Sequence, residues 1–178
     1  MSDSPEVTTA LPPQIRSPHN PRVLMAKTPF DLPALPLGWD EITKILPHRY
    51  PFLLVDKIVE LIPGHRIVGI KNVTATEEFF LGHFPGHPVM PGVLQIEAMA
   101  QAGCLAVVDP NGPEMDVAIA GINNARFRRP VVPGDQMILT AEITKDRGQI
   151  MVLRCEMHID GELAAEAEML AKVFPKGS

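Results

Sequence analysis

The stretch between Gly92 and Val108 constrains the fold more than any other part of the sequence. It carries apolar and small residues on all of its faces, interrupted only by the polar side chains of Gln95, Glu97 and Gln101. A helix with this pattern must be buried on every side. It is too short, and with a carboxylate inside too polar, to span a membrane comfortably. We therefore predict a core helix that is wrapped by other elements.

Those other elements are predicted to be strands of one long antiparallel sheet. A short helix over residues 40–46 comes first, and Pro47 ends it because proline lacks an N–H and its ring clashes with the preceding turn. Runs rich in Val, Ile and Leu, separated by turn residues, occur before and after the core helix. The predicted strands are residues 52–61, 66–74, 116–121, 135–145, 149–159 and 162–173. The fold class is thus α+β, with the sheet curled around one apolar helix.

The last of these strands conflicts with local propensity, because residues 162–172 are mostly good helix formers. Their pattern nevertheless has a period of two. Apolar residues occupy the odd positions, and the even positions hold the charged residues Glu162, Glu166, Glu168 and Lys172. Asp160 and Gly161, just before this run, tolerate the positive φ angles of a tight hairpin. We therefore predict a strand.

Charge and composition exclude several classes of function. The 178-residue chain has a formal net charge of -5, whereas a nucleic-acid-binding surface needs basic side chains to displace counterions from phosphate. Cys104 and Cys155 have the spacing of neither a metal site nor a disulfide framework. No stretch combines a basic start with the apolar run of a signal peptide. We expect a cytoplasmic protein that binds neither nucleic acid nor membrane.

Residues 1–38 are predicted to form a tail. They contain 8 of the 19 prolines, few aromatic residues and no hydrophobic period. Such a segment cannot bury enough apolar surface to order itself. We interpret it as a spacer and place the folded domain at residues 39–178.

The segment before the core helix has the composition of a rigid loop. Prolines and glycines crowd between positions 85 and 92, and such a segment is neither a helix nor a central strand. It would hold the imidazole of His83 in a fixed position, as a general base requires. The backbone N–H of Gly92 lies at the positive end of the helix and can approach a substrate carbonyl oxygen, because no side chain is in the way.

Glu97 is the candidate acid on the core helix. An ionisable carboxyl in such apolar surroundings is expensive unless function retains it. Gln101 lies on the same helix face, where its side chain can hydrogen-bond Glu97 and orient it. His83 could remove a proton beside a carbonyl, Gly92 stabilise the enolate and Glu97 protonate a leaving hydroxyl. The set predicts β-elimination of water from a 3-hydroxyacyl compound.

The same residues have other interpretations. A lone histidine beside glycine and proline is often a structural hydrogen-bonding group, and backbone groups can satisfy a buried glutamate. His83 and His87 also resemble a pair of zinc ligands. Pro85 and Gly86, however, prevent the helix that would place both histidines on one face, and a third ligand has no obvious source. We therefore expect no metal site.

Four motifs resemble those of the β-hydroxyacyl-(acyl carrier protein) dehydratases of bacterial and plastid-type fatty acid synthesis, and the similarity extends from about Leu46 to Phe174. The motifs are LPHRYPFLLVD at residues 46–56, GHFPGHPVMPGVLQIE at 82–97, EAMAQA at 97–102 and RFRRPVVPGD at 126–135. Together they are highly specific.

The resemblance implies a hot-dog fold and a homodimer whose two helices pack side by side, commonly assembled into a homohexamer as a trimer of dimers. It implies that each active site is shared, with His83 from one chain and Glu97 from the other, at the mouth of an acyl-chain tunnel. Gly92 is then the amide donor to the thioester carbonyl, and Gln101 and Phe84 are expected beside the substrate.

The resemblance also implies a reaction and a partner. The substrate would be a (3R)-3-hydroxyacyl chain on the phosphopantetheine arm of acyl carrier protein, and the product a trans-2-enoyl chain. No metal or organic cofactor is expected. A relative that also isomerises the double bond carries Asp where this chain has Glu97, so dehydration without isomerisation is expected.

One stretch departs from the family pattern. Many relatives have aromatic residues there, one of which gates the tunnel, whereas this chain has Val117, Ala118 and Ile119. The gate of the family is therefore not carried over to this chain.

A basic group is formed by Arg126, Arg128 and Arg129. It could meet an acidic carrier protein, or it could be a solvated strand edge. The alternative functions are a hot-dog acyl thioesterase and a non-catalytic acyl-thioester binding subunit.

Overall fold

The computed structural model describes residues 35–109 and 112–177, which form one antiparallel sheet with a long helix packed against it. Along the chain the elements are α1 (Trp39–Ile45), β1 (Lys57–Ile62), β2 (Arg66–Asn72), a 3-10 helix (Glu78–Leu81), α2 (Gly92–Val107), β3 (Met115–Phe127), β4 (Gln136–Asp146), β5 (Ile150–Ile159) and β6 (Glu162–Pro175). The strand order is β1-β2-β4-β5-β6-β3, and every neighbouring pair is antiparallel. The predicted α+β architecture is confirmed.

Helix α2 packs on the sheet through small and apolar side chains. A Cβ atom at Gly103 would lie 2.7 Å from Leu153 Cδ2 and 3.4 Å from Ala141 Cβ. The absence of a side chain at Gly103 therefore lets the helix lie close to β4 and β5. The buried side chains on this part of the helix include Ala98, Met99, Ala102, Leu105 and Ala106.

The expectation that α2 is buried on every side is wrong for a single chain. Val93 exposes 73% of its surface, and the side chains of Glu97, Ala100, Cys104 and Val107, on the same face of the helix, are only partly buried. These positions recur at intervals of three or four residues and so form one stripe along the helix. We call these five residues the open stripe of α2.

The first strand is shorter than predicted, because a side chain takes the place of a neighbouring strand. Strand β1 begins at Lys57 rather than at Phe52. In the preceding segment, Leu54 N–H donates to Gln101 Oε1 and Phe52 O accepts from Gln101 Nε2, each at 2.8 Å. At Phe52 and Leu54 the backbone is thus satisfied by helix α2, and contact with the sheet begins at Asp56, whose N–H donates to Ile70 O at 2.8 Å.

Strand β3 is longer than predicted and continues to Phe127. The sequence between Gly121 and Asn124 contains residues that are depleted in strands. The structure accommodates them with two shifts of register against β6, one between Ile119 and Gly121 and one between Asn123 and Arg126. Such bulges let a strand continue past residues that do not fit the ladder.

The last strand is confirmed, since β6 spans Glu162–Pro175. The alternation outweighs helix propensity because odd-numbered side chains such as Ala165, Ala167 and Met169 are buried in the core. The hairpin before β6 uses positive φ angles, 52° at Asp160 and 81° at Gly161, as the sequence predicts.

The folded domain begins before residue 39. Most of the predicted tail, residues 1–34, lies outside the described residues. Leu37, however, is fully buried and forms two hydrogen bonds of 3.0 Å with the backbone of Ile58. A boundary at residue 38 is therefore too late, because Leu37 already belongs to the core.

Within residues 35–109 and 112–177, neither helix has the length and apolar character needed to cross a bilayer.

Candidate active site

Backbone groups of Phe79 and Val89 hold His83 in place, and one of them also contacts its imidazole. His83 N–H donates to Phe79 O at 3.0 Å, at the end of the 3-10 helix, and Val89 N–H donates to His83 O at 2.9 Å. The ring nitrogen Nδ1 lies 2.6 Å from Val89 O. Because a carbonyl oxygen only accepts, Nδ1 carries the proton of the neutral ring. Nε2 is then left with a lone pair that can accept a proton.

The rest of the loop is closed on itself. Phe84 N–H donates to His87 O at 3.1 Å, and His87 N–H donates to Phe84 O at 2.9 Å. The Phe84 ring stacks on the His83 ring, with 4.0 Å between their centroids. Phe84 is half exposed, at 52%. It therefore contacts the candidate base directly and presents its other side to the surroundings of the site.

Gly92 begins helix α2 beneath an aromatic ring. A Cβ atom there would lie 3.0 Å from two carbon atoms of the Phe127 ring. The absence of a side chain at Gly92 thus permits the approach of Phe127, in addition to the expected approach of a substrate carbonyl. The N–H groups of Gly92 and Val93 belong to the first turn, where no intrahelical acceptor is available.

A cavity of about 410 Å³ joins the base to the helix start. It is lined by His83, Val89, Met90, Gly92, Gln95, Phe127, Arg128, Arg129 and Pro130. We call it the His83 cavity. It brings together the imidazole and the positive end of the α2 dipole, a combination that suits proton abstraction beside a carbonyl whose oxygen becomes negative.

Glu97 lies on the open stripe of α2, with 21% of its side chain exposed. Gln101 Nε2 donates to Glu97 Oε1 at 2.9 Å. The orientation of this amide is fixed, because Gln101 Oε1 must accept the Leu54 N–H and Nε2 must donate to Phe52 O. Gln101 therefore always presents an N–H to Glu97.

His48 is a second neighbour of Glu97 that the sequence did not assign to the site. Its Nε2 lies 3.5 Å from Glu97 Oε1. The two residues are almost fifty positions apart in the chain, so spacing gave no signal. The only hint was that His48 belongs to a motif rich in ring-bearing residues between α1 and β1.

The loop that carries His48 is fixed at both ends. The Arg49 guanidinium donates to Leu46 O at 2.8 Å and to Thr43 O at 3.0 Å, which holds the loop to the end of α1. The Tyr50 hydroxyl donates to Glu78 Oε1 at 2.8 Å, and this bond together with the charge of Glu78 raises the pKa of Tyr50. Glu78 is in the 3-10 helix that precedes His83, so the Tyr50 contact connects the loop of His48 to the loop of His83.

A second cavity, of about 240 Å³, contains Glu97 and not His83. Its lining includes His48, Gln101, Cys104 and the stretch from Val117 to Ile119 that departs from the family pattern. We call it the Glu97 cavity. The candidate base and the candidate acid therefore line different cavities of the same chain.

Both cysteine thiols are buried and hold their protons tightly. Burial, with a smaller effect from the charge of Glu97, raises the pKa of the Cys104 thiol to about 12. Burial likewise raises the pKa of Cys155 to about 12, with a smaller effect from Glu156. A thiolate is the reactive form of cysteine, and both side chains remain protonated far above neutral pH.

The predicted basic group is partly neutralised within the chain. The Arg128 guanidinium pairs with the Glu166 carboxylate, and Arg129 lies 3.2 Å from Asp135 Oδ1. Arg128 and Arg129 also line the His83 cavity.

In residues 35–109 and 112–177, no three His, Cys, Asp or Glu side chains are grouped as metal ligands would be.

A helix lying on an antiparallel sheet, with a histidine loop at its N-terminus and a carboxyl on its open stripe, is the arrangement expected from the resemblance to a hot-dog protein of the FabA-like class. Residues 46–168 match the FabA-like domain family. A solved structure described as the dehydratase heterocomplex ApeI:P from Xenorhabdus doucetiae superposes with a TM-score of 0.63 at 17% identity, over 76% of this chain and 91% of that chain. This likeness shows the fold.

The sequence relatives are closer. The chain is 55% identical to the 3-hydroxyacyl-[acyl-carrier-protein] dehydratase FabZ of Desulforamulus reducens, over 79% of this chain and 99% of the relative. It is 54% identical to the FabZ of Syntrophotalea carbinolica, over 76% of this chain and 94% of the relative. The chain belongs to the FabZ family of 3-hydroxyacyl-[acyl-carrier-protein] dehydratases, as the sequence motifs predict.

Proposed function

We propose that this chain dehydrates (3R)-3-hydroxyacyl-[acyl-carrier-protein] to the trans-2-enoyl thioester in fatty acid biosynthesis, and that it is a hydro-lyase. The identity of 55% to a FabZ dehydratase covers 99% of that relative, so the whole catalytic domain is represented. The observation that carries the proposal is the contact of 2.6 Å between His83 Nδ1 and Val89 O, because a proton on Nδ1 leaves Nε2 available as the base.

The elimination involves two proton transfers, one from the substrate to His83 and one from Glu97 to the leaving hydroxyl. His83 Nε2 takes a proton from the carbon beside the thioester carbonyl, and the N–H of Gly92 stabilises the negative charge that forms on the carbonyl oxygen. The electron pair of the broken C–H bond forms the double bond while the bond from C3 to the hydroxyl breaks. Glu97 gives its proton to the departing hydroxyl, which leaves as water. One proton then returns from the imidazolium to the carboxylate through solvent.

We propose that each active site is shared between two chains, because His83 and Glu97 line separate cavities of one chain. The open stripe of α2 carries Glu97 and would face the α2 of a second copy. Strand β3 lies at the edge of the sheet and exposes 42% of Ile119 and 44% of Ile122. Apolar surface at a strand edge supports pairing with a second copy.

The further assembly and the partner follow from the family. We propose a homodimer, assembled as a homohexamer, that acts in the cytoplasm on chains carried by acyl carrier protein. An acidic carrier would meet Arg126 and the neighbouring arginines near the His83 cavity. Complementary charge of this kind speeds encounter more than it raises affinity.

Subunit mixing tests the shared site. His83→Ala and Glu97→Gln proteins should each hydrate a short enoyl thioester at least about a hundredfold more slowly than the wild type. After subunit exchange, about half of the dimers should be mixed and each should hold one intact site, so roughly a quarter of wild-type activity should return.

Three results would count against the proposal. Full activity of His83→Ala would show that His83 is not the base. Continued inactivity despite demonstrated subunit exchange would argue against a shared site. Release of free thiol from a saturated acyl thioester by the wild type would indicate a thioesterase instead.

A further inference from the structure

His48 places one nitrogen beside the candidate acid and buries the other. Its Nε2 lies 3.5 Å from Glu97 Oε1. Its Nδ1 is buried and has no hydrogen-bond partner among the described residues. The ring is held at the wall of the Glu97 cavity, with its centroid 6.1 Å from that of Phe52. The position is therefore fixed by packing and not by a bond from Nδ1.

This geometry determines where the neutral imidazole carries its proton. A buried N–H without an acceptor leaves a polar group unpaired, which is unfavourable. Nε2, in contrast, faces a carboxyl oxygen that can accept. The proton therefore belongs on Nε2. At 3.5 Å the contact is longer than an ordinary hydrogen bond, as catalytic contacts often are in ligand-free structures, and such contacts tighten when substrate binds.

Two nitrogens that can donate consequently lie near the same oxygen of Glu97. Gln101 Nε2 donates to Oε1 at 2.9 Å, and His48 Nε2 lies 3.5 Å from it. A protonated carboxyl has one oxygen that only accepts and one that carries the proton. Because both nitrogens lie nearest Oε1, that oxygen is the one suited to accept, and the proton is directed to Oε2.

We propose that His48 is a positioning residue: together with Gln101 it makes Oε1 the accepting oxygen of Glu97 and thereby keeps the acid proton on Oε2, available to the leaving hydroxyl. The inference rests on the proposed role of Glu97 as the acid. His48 does not contact the reacting atoms, so its contribution passes entirely through Glu97.

Two isosteric substitutions separate the donor from the ring. The amide N–H of Gln in His48→Gln reaches about the position of Nε2, whereas that of Asn in His48→Asn reaches only about the position of Nδ1. We expect His48→Asn to lower kcat roughly tenfold, as loss of one hydrogen bond would, with KM changed by less than about twofold. His48→Gln should recover kcat to within about threefold of the wild type.

Other outcomes would overturn the inference. Full activity of both variants would mean that Glu97 needs no donor from position 48. Equal loss in both, with unchanged melting temperature, would mean that the ring is needed for its shape. A rise in KM with unchanged kcat would place His48 in substrate binding.

A spectroscopic measurement tests the same point without turnover. Nitrogen-15 spectra of histidine-labelled wild-type protein, with His48 assigned by comparison with His48→Asn, should show the Nε2–H tautomer. The Nδ1–H tautomer would overturn the inference, whatever the enzyme assay shows. If the wild type failed to convert any 3-hydroxyacyl or enoyl thioester, the proposed function would fail separately, and the tautomer would still decide where His48 directs its proton.

Discussion

At the scale of single residues, Gly92 must satisfy two neighbours at once. A side chain there would contact the Phe127 ring at 3.0 Å, and it would also stand in front of the N–H that we assign to the thioester oxygen. The ring of Phe127 is about half exposed and lines the His83 cavity, so a shift of the ring would also change the shape of that cavity. A Cβ atom at position 92 would thus disturb both the packing of Phe127 and the binding of the substrate carbonyl.

Substitution of Gly92 by alanine should therefore reduce activity more than stability. We expect Gly92→Ala to lower kcat/KM by about 10- to 1,000-fold and the free energy of unfolding by about 1–3 kcal/mol. Gly82→Ala is the matched control, since a Cβ at Gly82 meets nothing within 4 Å and the residue has an ordinary φ of -117°. Thioester hydration assays and urea denaturation would measure both effects, and equal activity losses in the two variants would contradict this explanation.

At the scale of elements, Gln101 connects helix α2 to the segment before β1. Its amide makes three hydrogen bonds, to Leu54 N, Phe52 O and Glu97 Oε1. Gln101→Met keeps the length of the side chain but leaves these groups unpaired. We expect the free energy of unfolding to fall by about 1–3 kcal/mol and kcat to fall as well, because Glu97 loses its best-placed donor.

A second buried glutamine on the same helix provides the control for this prediction. Gln95 Nε2 makes one bond, of 3.2 Å, to Met90 O, and its Oε1 has no partner among the described residues. Gln95→Met should therefore lower the free energy of unfolding by less than Gln101→Met, as measured by chemical denaturation. Equal losses would show that the three bonds of Gln101 contribute no more than the single bond of Gln95.

The elements that could be predicted from the sequence are those whose pattern is repeated over many residues. Strand β6 was predicted from its period of two, even though it contains good helix formers, and helix α2 from a long run of apolar and small residues. The length of β3 was missed because bulges, which have no pattern of their own, carry it past Gly121 and Asn124. The start of β1 was missed because Gln101, far away in the sequence, occupies the backbone of Phe52 and Leu54.

The site was predictable to the extent that local sequence determines it. The loop of His83 and the placement of Gln101 one turn after Glu97 follow from proline, glycine and helical spacing. The contact of His48 with Glu97 does not, because it depends on how the loop after α1 folds over α2. For the same reason the separation of His83 and Glu97 into two cavities came from the family resemblance and not from spacing.

At the scale of the whole molecule, the two buried thiols couple stability to alkaline pH. Their pKa rises from 9.0 to about 12 in the folded chain, so above pH 9 the unfolded chain releases thiol protons that the folded chain retains. The unfolded state then binds fewer protons, and the free energy of unfolding falls as pH rises. Stabilisation from this source is complete below pH 9 and is lost progressively toward pH 12.

This loss should be visible in denaturation curves measured between pH 8 and about pH 10.5. A double variant with Cys104→Ala and Cys155→Ala should show a shallower decline with pH than the wild type, because it has no thiol to titrate. Parallel declines in the two proteins would assign the alkaline loss to other groups. The comparison needs only the slopes, so a constant difference in stability between the proteins does not affect it.

The short pairing of Leu37 with Ile58 has a consequence for how copies of this chain can associate. The sheet has two margins, and Leu37 lies against the outer side of β1, whereas the opposite margin is the exposed strand β3. A sheet that could recruit strands on both sides could add copies without end, as fibres do. Leu37 takes both backbone hydrogen-bonding groups of Ile58, so strand addition to the outer side of β1 is blocked at that position. Leu37, two residues before α1, thus favours strand pairing of copies through β3, which ends with one partner, over pairing on both sides that could continue without end.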